Sequence, residues 1–271
     1  VDGGPREERS AHGRRRRDHL RVNPFGWWIA LYFSLATVAA GAAGAGCILL
    51  SRADAKSLLR ARLALAVSFV AISFGMLALI ADLEHPMDFW MTLRHYNPAS
   101  WISRGSRIAM LFALATGGLL FVVRGGEDRG NWTQLGVPIL AVLAVSLAIY
   151  PSLVLGQELG RPNWQSPLLP FIFGASAIHV GASILQGTRA IELGVVALEM
   201  ALVGGYLVTT GALSQVASGS TLIYMGIGIV FVWLVPTVMR NEANAAMLLR
   251  AGSLVLGCFG IRSVILMTGL S

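Results

Sequence analysis

Charge is scarce in this chain: 13% of its 271 residues are Asp, Glu, Lys or Arg, whereas 55% are apolar. An ordinary globular domain carries about a quarter charged residues, so a water-soluble fold is excluded and an integral membrane protein is expected. Cysteine is scarcer still. Cys47 and Cys258 both lie in apolar runs without a C-x-x-C spacing, which argues against a thiolate metal knuckle or a structural disulfide and leaves two small core residues. Long polar connections are also missing. Beyond the first 26 residues the longest connection is about 83–105, so no extramembrane catalytic module is encoded and any soluble chemistry must come from other chains.

What is present is a succession of apolar runs. Crossing a hydrocarbon layer of ~30 Å takes about 20 apolar residues in a helix, because only an internally bonded backbone survives there. Eight segments meet that requirement, roughly 27–50, 63–83, 106–123, 135–157, 168–185, 192–211, 222–238 and 248–270. The expected fold is an all-α integral membrane domain over 27–271, eight transmembrane helices arranged as two four-helix bundles. Residues 1–26, with the sequence VDGGPREERSAHGRRRRDHLRVNPFG, are charged and aperiodic. They are expected to be a disordered tail, not a cleaved signal, because no short apolar core with a small-residue cleavage site follows the arginine run. The net charge of +7 is largely this tail, and it bears on membrane topology and docking; no nucleic-acid partner is expected.

Eight spans place both termini on one face, here termed the tail face. Lys and Arg near the spans number nine on the opposite face and four on the tail face, which puts the tail outside. Adding the seven tail arginines reverses the count, so a cytoplasmic tail stands as the alternative.

An ionisable group at mid-bilayer costs ~2.5–3.5 kcal/mol on insertion scales, so each one needs a partner or water and is a functional candidate. Asp82 closes span two, His179 lies in span five, Glu199 in span six and Arg262 in span eight. They are expected to form a partial proton path across the bundle, helped by Tyr206, Thr209 and Thr210; local structural pairing is the competing reading. Of five histidines only His179 is well inside a span. A haem held between paired histidines cannot be built from that set, so neither haem nor a metal is expected in this chain.

The polar residues gather at the tail face. The stretch AIYPSLVLGQELGRPNWQSPLLP (148–170) meets NPFGWW (23–28) and DLEHPMDFWMTLRHYNPASW (82–101) there, bringing Asn23, Trp27, Asp82, His85, His95, Tyr150, Glu158, Arg161 and Trp164 to one interface. Aromatic belts account for Trp28 and Trp101. They do not account for Asp82, Tyr150 and Arg161 beside them. A hydroxyl or imidazole bonded to a carbonyl, with a carboxylate nearby to exchange protons, is what a quinone headgroup needs.

The runs WWIALYFSLATVAAGAAGAG, DLEHPMDFW…NPASWISRGS, YPSLVLG…RPNWQSPLLPFIFGASAI and GCFGIRSVILMTGLS, in that order, resemble the NrfD or polysulfide reductase membrane subunits, eight-span anchors of respiratory molybdoenzyme complexes. The resemblance covers nearly the whole sequence beyond the tail. It implies a subunit without its own redox centre that binds menaquinone or ubiquinone near the face where a four-cluster-type iron–sulfur subunit docks. That subunit in turn serves a molybdenum or tungsten bis-pterin catalytic subunit. By position, Tyr150 resembles the family's quinone-bonding tyrosine, and Asp82, Asn23 and His85 complete the headgroup contacts. Trp27 stands where some members carry a histidine. Arg262 resembles an arginine suited to a proton path, with Glu199 and His179 beyond it, while Glu158, Arg161, Trp164 and His95 would face the docking subunit. The implied location is a prokaryotic cytoplasmic membrane, with its lipids as neighbours. Two alternatives remain open, an ion- or proton-translocating transporter subunit without quinone chemistry and a passive anchor.

Overall fold

The computed structural model describes residues 26–52, 54–83, 87, 94, 97–98, 100–125, 130–158, 160–186, 188–216, 219–238 and 244–269. Among them there is no strand. The helices are α1 (Trp27–Leu50), α2 (Ala55–Ala81), α3 (Trp101–Arg124), α4 (Gly130–Gly156), α5 (Leu169–Leu185), α6 (Arg189–Thr209), α7 (Gly219–Gly228) and α8 (Asn244–Thr268). A 3₁₀ turn, Pro162–Gln165, precedes α5, and a helical turn, Leu213–Val216, precedes α7. α7 runs on through a π-helical stretch, Ile229–Leu234, into Val235–Val238.

By length and composition six of these helices can cross a membrane, namely α1, α2, α3, α4 from Thr133, α6, and α8 from Met247. The protein is therefore a multi-pass membrane protein. The other two expected spans are apolar but short, Leu169–Leu185 and Thr221–Leu234. α5 has 17 residues, about 26 Å of rise. Pro170 stands at its start, and Gln186 ends it in the left-handed conformation with φ of 51°. The segment expected as the seventh span is interrupted by the π-helical stretch, which periodicity does not signal.

Helix starts follow local chemistry. Asp54 caps α2 by accepting the Ser57 amide at 2.7 Å, which begins that helix eight residues before the apolar run expected at 63. The cap works in the open: the bonds from Ser57 hold the exposed Asp54 carboxyl below its ordinary value. Ser100 and Thr188 cap α3 and α6 in the same way, accepting from the Ser103 and Ile191 amides at 3.4 Å each.

α1 is the central helix. It packs against α2, α4, α5 and α8, and its run of Ala and Gly from Ala39 to Gly46 lets the neighbours come close. At Gly41 a Cβ would lie 2.4 Å from the Ala177 carbonyl oxygen of α5. α8 meets α7 as tightly, since a Cβ at Gly260 would lie 2.6 Å from the Gly228 amide nitrogen. Gly44, in the same run, faces open space instead, with nothing within 4 Å of a Cβ there.

Candidate functional site

Tyr150 sits in the last two turns of α4, immediately before Pro151. Its phenol reaches across to α1, where the hydroxyl is hydrogen-bonded to that of Tyr32. Both residues are buried, and their ring centroids are 6.3 Å apart. Glycines make the room. A Cβ at Gly105 of α3 would lie 2.2 Å from Cε2 of Tyr150, and one at Gly75 of α2 would lie 3.3 Å from Cδ2 of Tyr32. Beside the two phenols is a cavity of about 60 Å³, walled by Ile29, Phe33, Leu79, Ile102, Ser106 and Val154. Two hydroxyls that share one bond use one of their two protons, so the second O–H is free to donate to an acceptor in that cavity.

Asp82 follows the last residue of α2, one turn beyond Leu79. A Cβ at Gly26 would come within 3.0 Å of its Oδ1, so the carboxylate packs on the entry to α1. Partial burial raises its carboxyl above its ordinary value. The carboxylate thus stands at the membrane boundary one turn above the tyrosine cavity. Asn23, His85 and His95, expected near it, lie outside the described residues. Trp27 is 57% exposed and stacks on Trp28 with centroids 3.7 Å apart; it does not line the cavity.

The polar junction after α4 is fastened to the end of α8. Trp164 donates from Nε1 to the Ile265 carbonyl at 2.9 Å, and Asn163 donates to the Thr268 carbonyl at 2.7 Å. Trp164 is 1% exposed. The sequence assigns it to a partner-facing surface, but the absence of a side chain at Gly269 leaves room for the indole, and a Cβ there would lie 1.9 Å from Nε1. Arg161 covers the ring with its Cζ 4.3 Å from the centroid and leaves Nη1 buried without a hydrogen-bond partner among the described residues. Glu158 and Arg161 are half-buried at this surface.

A second polar assembly lies deeper. Glu199, midway along α6 and fully buried, accepts from Ser176 Oγ at 2.5 Å and pairs with His179 Nδ1 at 2.7 Å. Trp233 Nε1 donates to the same carboxylate at 3.3 Å. Ser176 and His179 are three apart on α5 and so share a face, while Trp233 comes from the π-helical stretch. Arg262 of α8 acts on Glu199 electrostatically. Its guanidinium lies over Phe173, 3.5 Å from the centroid, and reaches Thr37 Oγ1 at 3.5 Å; Nε and Nη1 have no hydrogen-bond partner among the described residues. Thus His179, Glu199 and Arg262 do come together. Asp82 does not join them: among the described residues no hydrogen bond or ion pair links it to this assembly.

Sequence reasoning missed Tyr32, Ser176 and Trp233. The i, i+3 spacing of Ser176 and His179 could have flagged the first of the Glu199 donors, but nothing in the sequence marks Tyr32 or Trp233. It also missed a buried pair at the opposite face, where Arg250 of α8 donates to the Ser183 carbonyl at 2.9 Å with Glu192 of α6 at 3.9 Å. Among the described residues no group of three or more His, Cys, Asp or Glu side chains could hold a metal.

A family model described as polysulphide reductase, NrfD, matches residues 17–191. Protein NrfD of Escherichia coli K12 is 25% identical over 199 residues, covering 64% of this sequence and 62% of that protein. The C subunit of polysulfide reductase from Wolinella succinogenes is 29% identical over 177 residues, covering 58% of this sequence and 55% of that protein. The matches thus span less than two thirds of either relative. Tyr32, Asp82 and Tyr150 fall inside the family match, while Glu199, Trp233 and Arg262 fall beyond its end.

Proposed function

This protein belongs to the polysulphide reductase NrfD family, and on that premise we propose that it is the membrane anchor of a respiratory molybdo- or tungsto-enzyme complex, reacting with quinone or quinol. The observation that carries the reading is the buried Tyr32–Tyr150 pair, with one unused O–H, beside an apolar cavity one turn from Asp82. A quinone reduced there gains two electrons and two protons, and a quinol oxidised there gives up the same. The electrons would pass to or from an iron–sulfur subunit docked on the tail face, and that subunit would serve the bis-pterin catalytic subunit.

The residues present fit that chemistry. The free phenolic proton orients a carbonyl oxygen, and the apolar walls from α1 to α4 exclude water. Asp82, its carboxyl raised by burial, exchanges protons with the boundary. Glu158 and Arg161, the latter lying over the pinned Trp164, offer opposite charges to the partner. At about 60 Å³ the cavity is far below the ~300 Å³ at which ligand pockets begin, so admitting a headgroup requires the Tyr32 and Tyr150 side chains to part. Menaquinone and ubiquinone both satisfy the chemistry. The setting is a prokaryotic cytoplasmic membrane.

In the assembled complex, Tyr150→Phe should lower quinone turnover by about tenfold, the value of one lost hydrogen bond of ~1.4 kcal/mol. Reduction or oxidation of an artificial dye at the catalytic subunit should be unaffected. Wild-type quinone turnover in that variant would remove the tyrosine from the reaction. A transporter is the second reading, since α7 is interrupted within the membrane. Inverted-repeat transporters pair two such interruptions, and among the described residues the π-helical stretch has no counterpart.

A further inference from the structure

A groove of about 890 Å³ opens in the half of the membrane away from the tail face, between α1, α4, α5 and α6. Its floor is made of small buried positions such as Gly41, Ala144, Ala177 and Gly181. Its rim is apolar and outward-facing, with Ile48, Val145, Ile178 and Ile191 each between 47% and 61% exposed. The groove is open to the side, toward lipid. Among the described residues no protein group stands in front of Gly44 or Gly174, where a Cβ would find nothing within 4 Å.

Length and charge identify the occupant. Lining residues run from Ala40 on α1 to Arg52 just past its end, and from Gly174 on α5 to Gln186 just past its end. Twelve residues rise about 18 Å, close to the depth of one leaflet of a ~30 Å layer. At the outer end the lining turns polar, with Arg52, Gln186 and Thr188. A second guanidinium is held there, because Arg60 Nη2 donates to Gln186 Oε1 at 3.0 Å. Of the described carboxylates nearby, Asp54 caps α2 and Glu192 pairs with Arg250. A leaflet-deep apolar slot headed by two guanidinium groups complements an acyl tail below an anionic phosphate.

We propose that this groove binds one anionic phospholipid of that leaflet, an acyl tail lying along Gly44 and Gly174 and the phosphate at Arg52 beside the Arg60–Gln186 bond. The lipid supplies the packing against α1 that side chains supply elsewhere, and the site is independent of the quinone reading.

The test uses the protein purified in mild detergent with its native partners. Native mass spectrometry and lipid extraction follow, and the delipidated protein is then titrated with phosphatidylglycerol and with phosphatidylcholine. Wild type should retain one phosphatidylglycerol and prefer it over phosphatidylcholine. The double variant Gly44→Leu/Gly174→Leu directs side chains into open space and removes two helix-interior glycines, which favours the helices; it should lose phosphatidylglycerol by about tenfold. Arg52→Gln, a change at an exposed position, should keep the acyl tail bound and reduce the phosphatidylglycerol preference about fivefold, as expected for one arginine near a headgroup. Unchanged phosphatidylglycerol binding by the double variant would overturn the proposal. So would equal affinity of wild type for the two lipids, an Arg52→Gln preference identical to wild type, quinone recovered in place of phospholipid, or a dimer that the double variant separates.

Discussion

The tyrosine pair and the Glu199 assembly are both buried among apolar helices, yet they differ in how fully their hydrogen-bonding capacity is used. Glu199 receives Ser176, His179 and Trp233 and lies in the field of Arg262. Displacing the carboxylate would cost the buried imidazole of His179 its partner in hydrocarbon, where the loss is costly, although the Ser176 hydroxyl could fall back on the Ile172 carbonyl at 2.9 Å. Tyr32 and Tyr150 are neutral, share one bond, and border a cavity. A ligand carbonyl can be admitted by using the spare proton or by breaking a single bond. The contrast teaches that burial of polar groups is not itself a mark of ligand chemistry. The saturated carboxylate of Glu199 holds α5, α6 and α7 together, whereas the half-used phenol pair has capacity for exchange, as do Nε and Nη1 of Arg262, which have no hydrogen-bond partner among the described residues.

Variants at the two places should separate along that line. The largest effect is expected from Glu199→Ala, which removes the acceptor of His179 and Trp233 and the countercharge of Arg262, while the Ser176 hydroxyl retains the Ile172 carbonyl. A loss of about 3–5 kcal/mol is expected for breaking such a buried set, measured as accumulation of the protein in the membrane and unfolding in detergent. Glu199→Gln keeps the shape and one acceptor and should cost about 1–3 kcal/mol. If the alanine variant is as stable as wild type, the assembly is not structural and the contrast collapses.

Gly105→Val comes next, at about 1–3 kcal/mol for overpacking. Its side chain must displace the Tyr150 ring, which it would otherwise meet at 2.2 Å, so quinone turnover should fall with stability. Tyr32→Phe should cost about 1 kcal/mol of stability while leaving Tyr150 with its own proton to donate. Its quinone turnover should therefore exceed that of Tyr150→Phe, and the reverse order would assign the headgroup to the α1 tyrosine.

The smallest effect concerns Asp82. Burial raises its folded carboxyl above the ordinary value, so near and just above the ordinary aspartate range the folded protein keeps a proton that the unfolded state releases. By linkage that contribution to stability declines as pH rises through the window and returns as pH falls. Asp82→Asn should abolish this slope in unfolding measured across the acid range, without altering stability at the low-pH end. A slope unchanged in the variant would place the titrating group elsewhere.

Much of the architecture is legible in composition and run length, because a backbone in hydrocarbon must close its own hydrogen bonds and therefore forms helices of readable length. Even the ionisable candidates are legible, since rarity marks them. Their grouping is not. His179 and Glu199 meet as the sequence suggests, but Asp82, which span order puts on the same route, stays with the tyrosines. Trp164, which the polar junction offers to a partner, is buried against α8. The first depends on helix rotation; the second depends on the 3₁₀ turn that carries Trp164 packing into the space left at Gly269. A helix that is apolar all round, like α1, has no polar face from which its orientation can be read, so Tyr32 carries no local sign that it points at Tyr150, 118 positions away. The interruption of α7 is equally hidden, although it is what presents Trp233 to Glu199.

By itself, then, the amino-acid order determined a membrane-embedded helical protein and the few positions where polarity enters the apolar layer. These depend on transfer free energies and helix length, which are local and additive along the sequence. The tertiary structure alone decided that Tyr32 completes Tyr150, that Glu199 is saturated and Arg262 is not, and that four helices leave a leaflet-deep groove between them. Those outcomes depend on helix rotation and on close approach at a few glycines, and in apolar helices neither is written in any single segment.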